Sequence, residues 1–219
     1  MKSLILILVL MSCLTLYSQN IEFAIGLNKN NFFDFINGGP QTSSYTSDLG
    51  FVGQIAINDI KADWLQLRLT LSFERYSGKL KASQFGQAGG SETIADIDKS
   101  LLSFGFFPVN FQILKRININ VGFEMSGLIH EKFEGTYSVW SIGVPYWSTE
   151  LSDMYDKYSS RIYLGLKSRL AYDIKLTDNL IISIQYSFYY GLSNEFIEPP
   201  EQTKSVRHYF CIGIQKKLK

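Results

Sequence analysis

The sequence predicts an all-β protein, a closed eight-stranded antiparallel up-and-down transmembrane β-barrel. Beyond residue 19 the chain divides into eight segments in which apolar and polar residues alternate, the pattern of strands with two unlike faces. The connections between segments are alternately short and long, as in outer-membrane barrels with short periplasmic turns and long outer loops. The short connections are Asn58–Asp63, Lys115–Arg116 and Lys175–Asn179, and the long polar ones are Lys29–Ser47, Ser77–Asp98, Glu131–Ser159 and Leu192–Lys204.

Composition agrees with this class. The 219 residues fit one domain, which we expect to span residues 20–219. A net charge of +1 gives no reason to expect nucleic acid as a partner. Charged residues make up only 19% of the chain and aromatic residues 15%. The mean hydropathy is near zero, which is compatible with a membrane barrel because its polar inward positions offset its apolar lipid-facing ones.

Residues 1–19 have the features of a secretory signal peptide that is removed. Lys2 precedes an apolar run from Leu4 to Met11, which is too short to span a bilayer as a helix. We place the cleavage site after Gln19. An alternative is cleavage before Cys13, which would then carry a lipid. If Cys13 is removed with the signal, Cys211 is the remaining cysteine and forms no intrachain disulfide.

The first three segments show the alternation clearly. In residues 21–28 and 49–58 apolar side chains occupy the odd-numbered positions and small or polar ones most of the even-numbered positions. In the third segment Leu65, Leu71 and Phe73 belong to an unbroken apolar set with period two. Each segment is therefore predicted to be a strand with one apolar and one polar face.

The fourth segment changes parity in its middle. Its apolar residues are even-numbered from Leu102 to Phe106 but odd-numbered from Val109 to Ile113, and Pro108 lies at the switch. Because proline cannot donate to the ladder and one extra residue reverses the faces, we predict a β-bulge there. Residues 117–126, 162–173, 180–191 and 210–215 complete the set of eight.

Alternation alone is compatible with a soluble barrel or sandwich that has its apolar face inside. Two features favour an apolar face toward lipid. Small residues accompany full charges on the polar face, which suits a narrow lumen. Aromatic residues lie near the strand ends, with Trp64 and Tyr172 toward the short turns and Tyr76, Phe188 and Tyr190 toward the long loops, as in the aromatic girdles of membrane barrels.

Residues 99–115 carry a central Pro108 and end in Lys115 before a tight turn, and the next strand contains Gly122. This pattern resembles the small PorT-like outer-membrane β-barrel proteins of Bacteroidota, whose signals are also similar to the ending Tyr17-Ser18-Gln19. The resemblance implies an eight-stranded outer-membrane barrel, and it defines no catalytic residues that could be carried over to this sequence. Some members of that family are linked to protein secretion or gliding machinery.

Seven charged residues on the polar face are predicted to form a charge network in the lumen. We expect them to pair across the barrel, because unpaired buried charges are costly, and we expect Arg68 to neutralise Glu124 or Glu22. Eight strands leave a bore that side chains can fill, so a plug is favoured over the alternative of a narrow channel. The seven residues are Glu22, Arg68, Glu74, Glu124, Lys167, Arg169 and Asp173.

The alternative of an outer-membrane lipid-modifying enzyme would use His130 or His208. Such an enzyme needs a nucleophile and an acid within reach of the histidine. Ser138, Ser141 and Asp153 are available in the third long loop, but no catalytic signature surrounds them. We therefore expect no catalytic residue, and we expect neither a cofactor nor a metal site, since clustered ligands are missing from the sequence.

The third long loop is rich in aromatic residues, which mark recognition surfaces. The alternative is that some of them extend the strands above the membrane and belong to the outer girdle. The second long loop, with Gly86, Gly89 and Gly90, is expected to be flexible. The predicted recognition residues are Tyr137, Trp140, Tyr146, Trp147 and Tyr155.

The function predicted from the sequence is therefore a non-enzymatic, integral outer-membrane protein. It would bind through its loops or serve as a small subunit of an envelope or secretion assembly. We expect a monomeric barrel in contact with outer-membrane lipid, with an envelope protein as a candidate partner.

Overall fold

The structure is a computed structural model that describes residues 20–33, 41–62, 65–113, 116–151, 158–197 and 203–218. The predicted signal peptide, Trp64, Asp153 and Tyr155 lie outside these residues. The strands, numbered in chain order, are β1 (Asn20–Phe33), β2 (Gln41–Ser47), β3 (Leu49–Ala62), β4 (Leu65–Gly86), β5 (Gly89–Ile113), β6 (Ile117–Ser141), β7 (Val144–Glu150), β8 (Ile162–Lys175), β9 (Leu180–Gly191) and β10 (Lys204–Lys217).

Eight of the strands form a closed antiparallel ring. Going around it, the order is β1, β3, β4, β5, β6, β8, β9 and β10, and β10 pairs with β1. Strands that are consecutive in the ring are also consecutive along the chain once β2 and β7 are set aside, so the topology is up-and-down. The predicted eight-stranded barrel is confirmed.

The register keeps apolar side chains outside and polar ones inside. Phe23 lies opposite Ile214 on one neighbouring strand and Ile55 on the other, and all three are exposed. The next residue, Ala24, is buried beside Gly213. Alternation of this kind repeats around the ring, because successive side chains of a strand point to opposite faces.

The parity change in β5 is a β-bulge, as predicted. Phe106 pairs with Phe123 and Val109 with Val121, so three steps along β5 oppose two along β6. The extra residue keeps Phe106, Val109 and Phe111 on the exposed face on both sides of Pro108. A β-bulge therefore preserves the outward apolar band across the proline.

Three of the four predicted long loops are wrong for most of their described residues, which lie in strands. In the first of these loops, residues 29–33 extend β1 and Gln41–Ser47 form β2. Strands β4 and β5 pair up to Gly86 and Gly89 and leave a two-residue turn where we expected a flexible loop. Strands β6 and β7 form a second hairpin, whose turn uses Gly143 at a φ of +80°. In these segments the exposed outer face is polar and the buried inner face apolar, which reverses the pattern of the membrane-spanning strands and hides them from a search for one continuous alternation.

These continuations form a five-stranded sheet, which we call the extracellular sheet because the long connections of outer-membrane barrels lie outside the cell. It consists of β2, of β4 and β5 beyond the exposed pair Arg75–Asp98, of β6 beyond Lys132, and of β7. Strand β4 runs eleven residues past Arg75, which corresponds to roughly 35 Å of extended chain. The sheet therefore projects well beyond the membrane-spanning part of the barrel.

The end of the barrel beneath this sheet is filled by an apolar group, the mouth cluster. Segments 158–160 and 195–197 cross the opening and bond each other through the Ser159–Phe196 bridge. Their side chains pack against the inner face of β4 and β5. The buried members of the mouth cluster are Phe32, Tyr76, Leu80, Ala95, Ile97, Leu101, Leu151, Tyr158, Tyr163 and Phe196. The prediction that Tyr76 belongs to the aromatic girdle is therefore wrong, because its side chain points into the barrel.

The exterior of the ring identifies its environment. Large apolar side chains such as Ile25, Phe123 and Ile212 are more than half exposed, whereas charged residues such as Glu22 and Arg68 are buried inside. A closed antiparallel ring with an apolar outside and a polar inside is the arrangement of an outer-membrane barrel. The protein is therefore an integral outer-membrane β-barrel.

Within the described residues, no helix has the length and apolar character needed to cross a membrane.

Candidate functional site

A group of charges around Glu22 occupies the lumen toward the short turns. The Arg68 guanidinium donates to both carboxylate oxygens of Glu22 at 2.8 and 3.1 Å, and Arg169 donates to the same carboxylate at 3.1 Å. Gln185 donates to Glu22 as well, and Asn120 accepts from Arg169. One carboxylate thus balances two guanidinium groups, and the carboxamides satisfy further hydrogen-bonding groups.

Two more ion pairs lie deeper along the bore. Lys167 bonds Glu124, and the Lys167 ammonium lies 4.2 Å from the ring centre of Tyr209. Arg207 bonds Glu74, which also accepts from the side chain of Asn28. Lys167 and Glu124 lie on the neighbouring strands β8 and β6, whereas Arg207 on β10 reaches across the ring to Glu74 on β4. These buried side chains fill the bore, as expected for eight strands.

A further buried ion pair lies beneath the mouth cluster. Lys99 and Glu195 approach to 2.9 Å, with 0% and 1% of their side chains exposed, and Tyr76 also donates to Glu195. Burial acts to raise the pKa of Glu195, but the charges of Lys99 and Arg207 outweigh it and hold that pKa below its ordinary value. The connection that carries Glu195 is thus tied to the barrel wall.

The structure buries six of the seven predicted lumen charges and leaves Asp173 half-buried at the short-turn end, where it accepts from Asn118. It also places three charges in the lumen that sequence reasoning missed: Lys99, Glu195 and Arg207. Lys99 and the inward-facing Leu101 are both odd-numbered, as are Arg207 and the inward-facing Cys211. Extending the predicted strands by a few residues would therefore have placed Lys99 and Arg207 in the lumen. Glu195 lies in a connection and has no such signal.

The two histidines lie outside the lumen network. His130 is exposed on β6, and His208 forms a hydrogen bond of 2.8 Å with the hydroxyl of Tyr186 among outward-facing aromatic rings. Cys211 is a buried, free thiol inside the barrel. The described residues contain no cluster of His, Cys, Asp and Glu that could hold a metal ion.

The far end of the extracellular sheet carries a group of large aromatic and apolar side chains, distributed over both faces of the sheet, which we call the tip patch. It consists of Phe85, Trp140, Ile142, Tyr146 and Trp147. The exposed fractions are 81% for Ile142, 67% for Tyr146 and 52% for Trp147. These are large values for side chains that lie above a membrane in water, and two of the members, Phe85 and Ile142, were not predicted.

Local contacts hold the tip patch in place. The ring of Trp140 lies 6.0 Å from that of Phe85 and covers Gly90, where a Cβ atom would lie only 2.7 Å from the indole. The Tyr146 hydroxyl donates to Ser138 at 2.8 Å. Trp147 lies on the opposite face of the sheet, edge-on to Tyr137 at 6.1 Å.

The predicted recognition residues therefore separate into two groups. Trp140, Tyr146 and Trp147 belong to the tip patch, whereas Tyr137 is partly buried against the mouth cluster. On the outer face of the sheet, charged residues form cross-strand and same-strand ion pairs in solvent. These pairs are Arg75–Asp98, Lys79–Asp96, Lys81–Glu92 and Lys132–Glu134.

The sequence matches no protein-family model and no curated protein. Among solved structures, the chain is similar to the attachment invasion locus protein Ail of Yersinia pestis, at 14% identity and a TM-score of 0.44, over 90% of this chain and 99% of that one. Neisserial surface protein A is similar at 12% identity and a TM-score of 0.40, over 91% and 96% of the two chains. The outer-membrane protease OmpT of Escherichia coli is similar at 8% identity and a TM-score of 0.38, over 92% and 97%. At these values the likenesses carry no inference about activity or ligands.

Proposed function

We propose that this outer-membrane barrel is a non-enzymatic protein whose extracellular sheet binds a protein partner through the tip patch. The partner is an envelope or cell-surface protein, so that the barrel acts as a surface binder or as a small subunit of an envelope assembly. The observation that carries the proposal is the exposure of Ile142, Tyr146 and Trp147 at the far end of a sheet that is otherwise charged on its outer face.

The physical argument concerns the free energy of binding. Aromatic side chains contribute large contact areas and are enriched among the residues that dominate binding energy. Here they stand on paired strands, and Trp140 is fixed between Phe85 and Gly90, so little conformational entropy is lost on binding. The ion pair Lys81–Glu92 would form part of a polar rim beside the apolar centre.

The lumen supports the non-enzymatic part of the proposal. Its carboxylates Glu22, Glu74 and Glu124 are each bonded to a lysine or an arginine, as in a structural plug. His208 is engaged with Tyr186 among outward-facing rings, where it serves to fill the aromatic girdle. We propose that the apolar exterior contacts outer-membrane lipid and that the barrel is monomeric.

A relation to the PorT-like barrels of Bacteroidota is part of the same proposal. It is supported by residues 99–123, whose Pro108 forms the β-bulge opposite the β6 strand that carries Gly122. On this view residues 1–19 direct export and are removed.

The test is crosslinking in intact cells with two matched variants. Trp147→Ala combined with Tyr146→Ala removes two exposed rings of the tip patch, whereas Lys79→Ala combined with Asp96→Ala removes an exposed ion pair lower on the same sheet. We expect a crosslinked partner with the parent protein and with the ion-pair variant, and loss of that partner with the aromatic variant.

Equal crosslinking of all three proteins would contradict the tip patch as the binding surface. A deletion strain with no crosslinked partner and with intact secretion, adhesion and envelope integrity would contradict the proposed function itself. Altered outer-leaflet lipids in that strain would instead favour an enzyme.

A further inference from the structure

The end of the barrel opposite the extracellular sheet contains a polar cavity. Its volume is about 760 Å³, which lies within the size range of small-ligand sites. Exposed residues from the short-turn end, Arg116, Lys175 and Lys217, form its rim, and Arg68 and Arg169 form its floor. Because short turns of outer-membrane barrels face the periplasm, this cavity opens toward the periplasm.

The cavity carries an excess of positive charge. Five of its 16 lining residues are cationic (Arg68, Arg116, Arg169, Lys175 and Lys217), and one, Asp173, is acidic. Glu22 balances part of the floor, and Asp178 pairs with Lys175 at 2.6 Å. Even with these two carboxylates included, five positive charges face three negative ones, so the cavity favours an anionic ligand.

The uncharged part of the lining is also distinctive. Seven of the 16 lining residues are asparagine or glutamine, which both donate and accept hydrogen bonds. Two buried atoms of lining residues have no hydrogen-bond partner among the described residues: the Arg68 Nε donor and the Asp173 Oδ1 acceptor. A ligand that has both an anionic oxygen and a hydroxyl or amide donor would satisfy both kinds of group.

The opposite end of the lumen determines what such a cavity can do. Above the Glu22 group, the bore is filled by Lys167, Arg207 and their carboxylate partners, and the mouth cluster covers the far end. A ligand that enters from the periplasm therefore meets a closed floor and leaves by the same way. The closed lumen therefore allows a ligand to bind in the cavity but not to pass through the barrel.

We propose that this cavity is a binding site for a small carboxylated, hydrophilic molecule of the periplasm, of about disaccharide or dipeptide size. The carboxylate lies among Arg116, Lys217 and Arg68, and the hydroxyl or amide groups of the ligand bond the carboxamides of the wall. An acidic sugar and an acidic peptide share this chemistry, and the test below separates them.

The test is calorimetric titration of the folded protein in a zwitterionic detergent. The probes are digalacturonic acid and the dipeptide Glu-Glu, each with a neutral counterpart, cellobiose and Gln-Gln, and inorganic phosphate as a plain anion. We expect at least one carboxylated probe to bind with one-to-one stoichiometry and at least about tenfold more tightly than its neutral counterpart, since hydrogen bonds to charged groups are the stronger ones.

Matched lysines provide the control. Lys217 lines the cavity, whereas the adjacent Lys216 is exposed and lies outside the lining. Combining Arg116→Ala with Lys217→Ala should lower the affinity for the carboxylated probe by roughly tenfold or more. Lys216→Ala should leave that affinity unchanged. These residues are exposed at the rim, and retention of the folded band on an unboiled gel verifies that the variants fold.

Binding of digalacturonate alone would identify an acidic sugar as the ligand class, and binding of Glu-Glu alone an acidic peptide. The proposal is overturned if neither carboxylated probe binds, or if the double variant binds as tightly as the parent. It is also overturned if phosphate binds as tightly as the organic probes, which would indicate an unspecific cationic surface.

Discussion

Lys99 on β5 and Glu195 in the β9–β10 connection form a buried ion pair of 2.9 Å beneath the mouth cluster. The Lys99 ammonium also lies 4.5 Å from the ring centre of Phe196, next to Glu195 in the chain. This pair joins an extracellular connection to the wall of the barrel. It therefore couples closure of the mouth to the stability of the ring.

Breaking this pair should destabilise the barrel strongly. We expect Lys99→Met or Glu195→Gln to lower the stability by about 3–5 kcal/mol, because each leaves a buried group without its partner. The double variant should recover part of the loss. The measurement is the temperature at which the folded gel band converts to the unfolded one. As a control, Lys79→Met removes an exposed ion pair of 3.6 Å and should change this temperature little. Equal shifts for Lys79→Met and Lys99→Met would show that burial of the Lys99–Glu195 pair does not matter for stability.

The pH dependence of the mouth follows from the lowered pKa of Glu195. Because its folded-state pKa lies below the ordinary value of 4.5, the charged form stabilises the fold at neutral pH, and this contribution is lost as the pH falls through the folded-state pKa. We expect protease protection of the connection to persist at pH 5 and to decline only below about pH 4.5. Glu195→Gln should remove this acid-dependent step, and an unchanged acid transition in that variant would rule out Glu195 as its origin.

Substituting different members of the Glu22 group should lower the stability of the barrel by different amounts. Removing Arg68 leaves Glu22 with Arg169 as its partner, but removing Glu22 leaves two guanidinium groups near each other without their shared carboxylate. We therefore expect Glu22→Gln to cost about 3–5 kcal/mol and Arg68→Ala to cost less. Band-conversion temperatures of the two variants provide the comparison. A larger loss for Arg68→Ala would show that Arg169 does not compensate.

The filled lumen should not conduct ions. We expect no discrete conductance from the parent protein in planar bilayers, since Arg207, Lys167 and their partners occupy the bore and the mouth cluster covers one end. Arg68→Ala should remain closed for the same reason. Stable single-channel steps from the parent protein would contradict the plug and favour a narrow channel.

A side chain at Gly122, on the strand opposite the β-bulge, should destabilise the barrel. A Cβ there would lie 2.0 Å from the carbonyl oxygen of Phe106, whereas a Cβ at Gly127 would have its nearest neighbour, the Leu102 oxygen, at 3.9 Å. We expect Gly122→Ala to cost about 1–3 kcal/mol through overpacking and Gly127→Ala to cost much less. Chemical unfolding in detergent compares the two, and equal midpoints would contradict the close approach.

The part of the fold within the membrane could be predicted from sequence because its two faces meet opposite environments. Lipid outside and a crowded lumen inside produce the strict alternation around Phe23 and the parity change at Pro108. Beyond Arg75 the outer face of the strands meets water and the inner face packs against the mouth cluster, so the pattern found within the membrane ends and the segment has the polar composition expected of loops. Glu195 was missed because its burial depends on how a connection folds back onto the barrel.

The candidate site was predictable to a similar extent. Tyr146 and Trp147 stood out as aromatic residues in a polar segment, but no local pattern separates them from Tyr137, which packs inward. Phe85 joins the tip patch only because β4 and β6 both flank β5. Contacts of this kind depend on which strands lie side by side in the fold, and the pattern of residues within one segment does not reveal them.

The central claim is a barrel that spans the outer membrane with its extracellular sheet outside. Its most direct test is labelling of intact cells with a membrane-impermeant maleimide, in a Cys211→Ser background. Lys79→Cys lies on the exposed sheet, Asp178→Cys in an exposed short turn and Ile212→Cys on the apolar belt. We predict labelling of position 79 in intact cells, of position 178 only after the outer membrane is permeabilised, and of position 212 in neither case. Labelling of position 178 in intact cells without labelling of position 79 would contradict the orientation, and labelling of position 212 would contradict the membrane-spanning barrel.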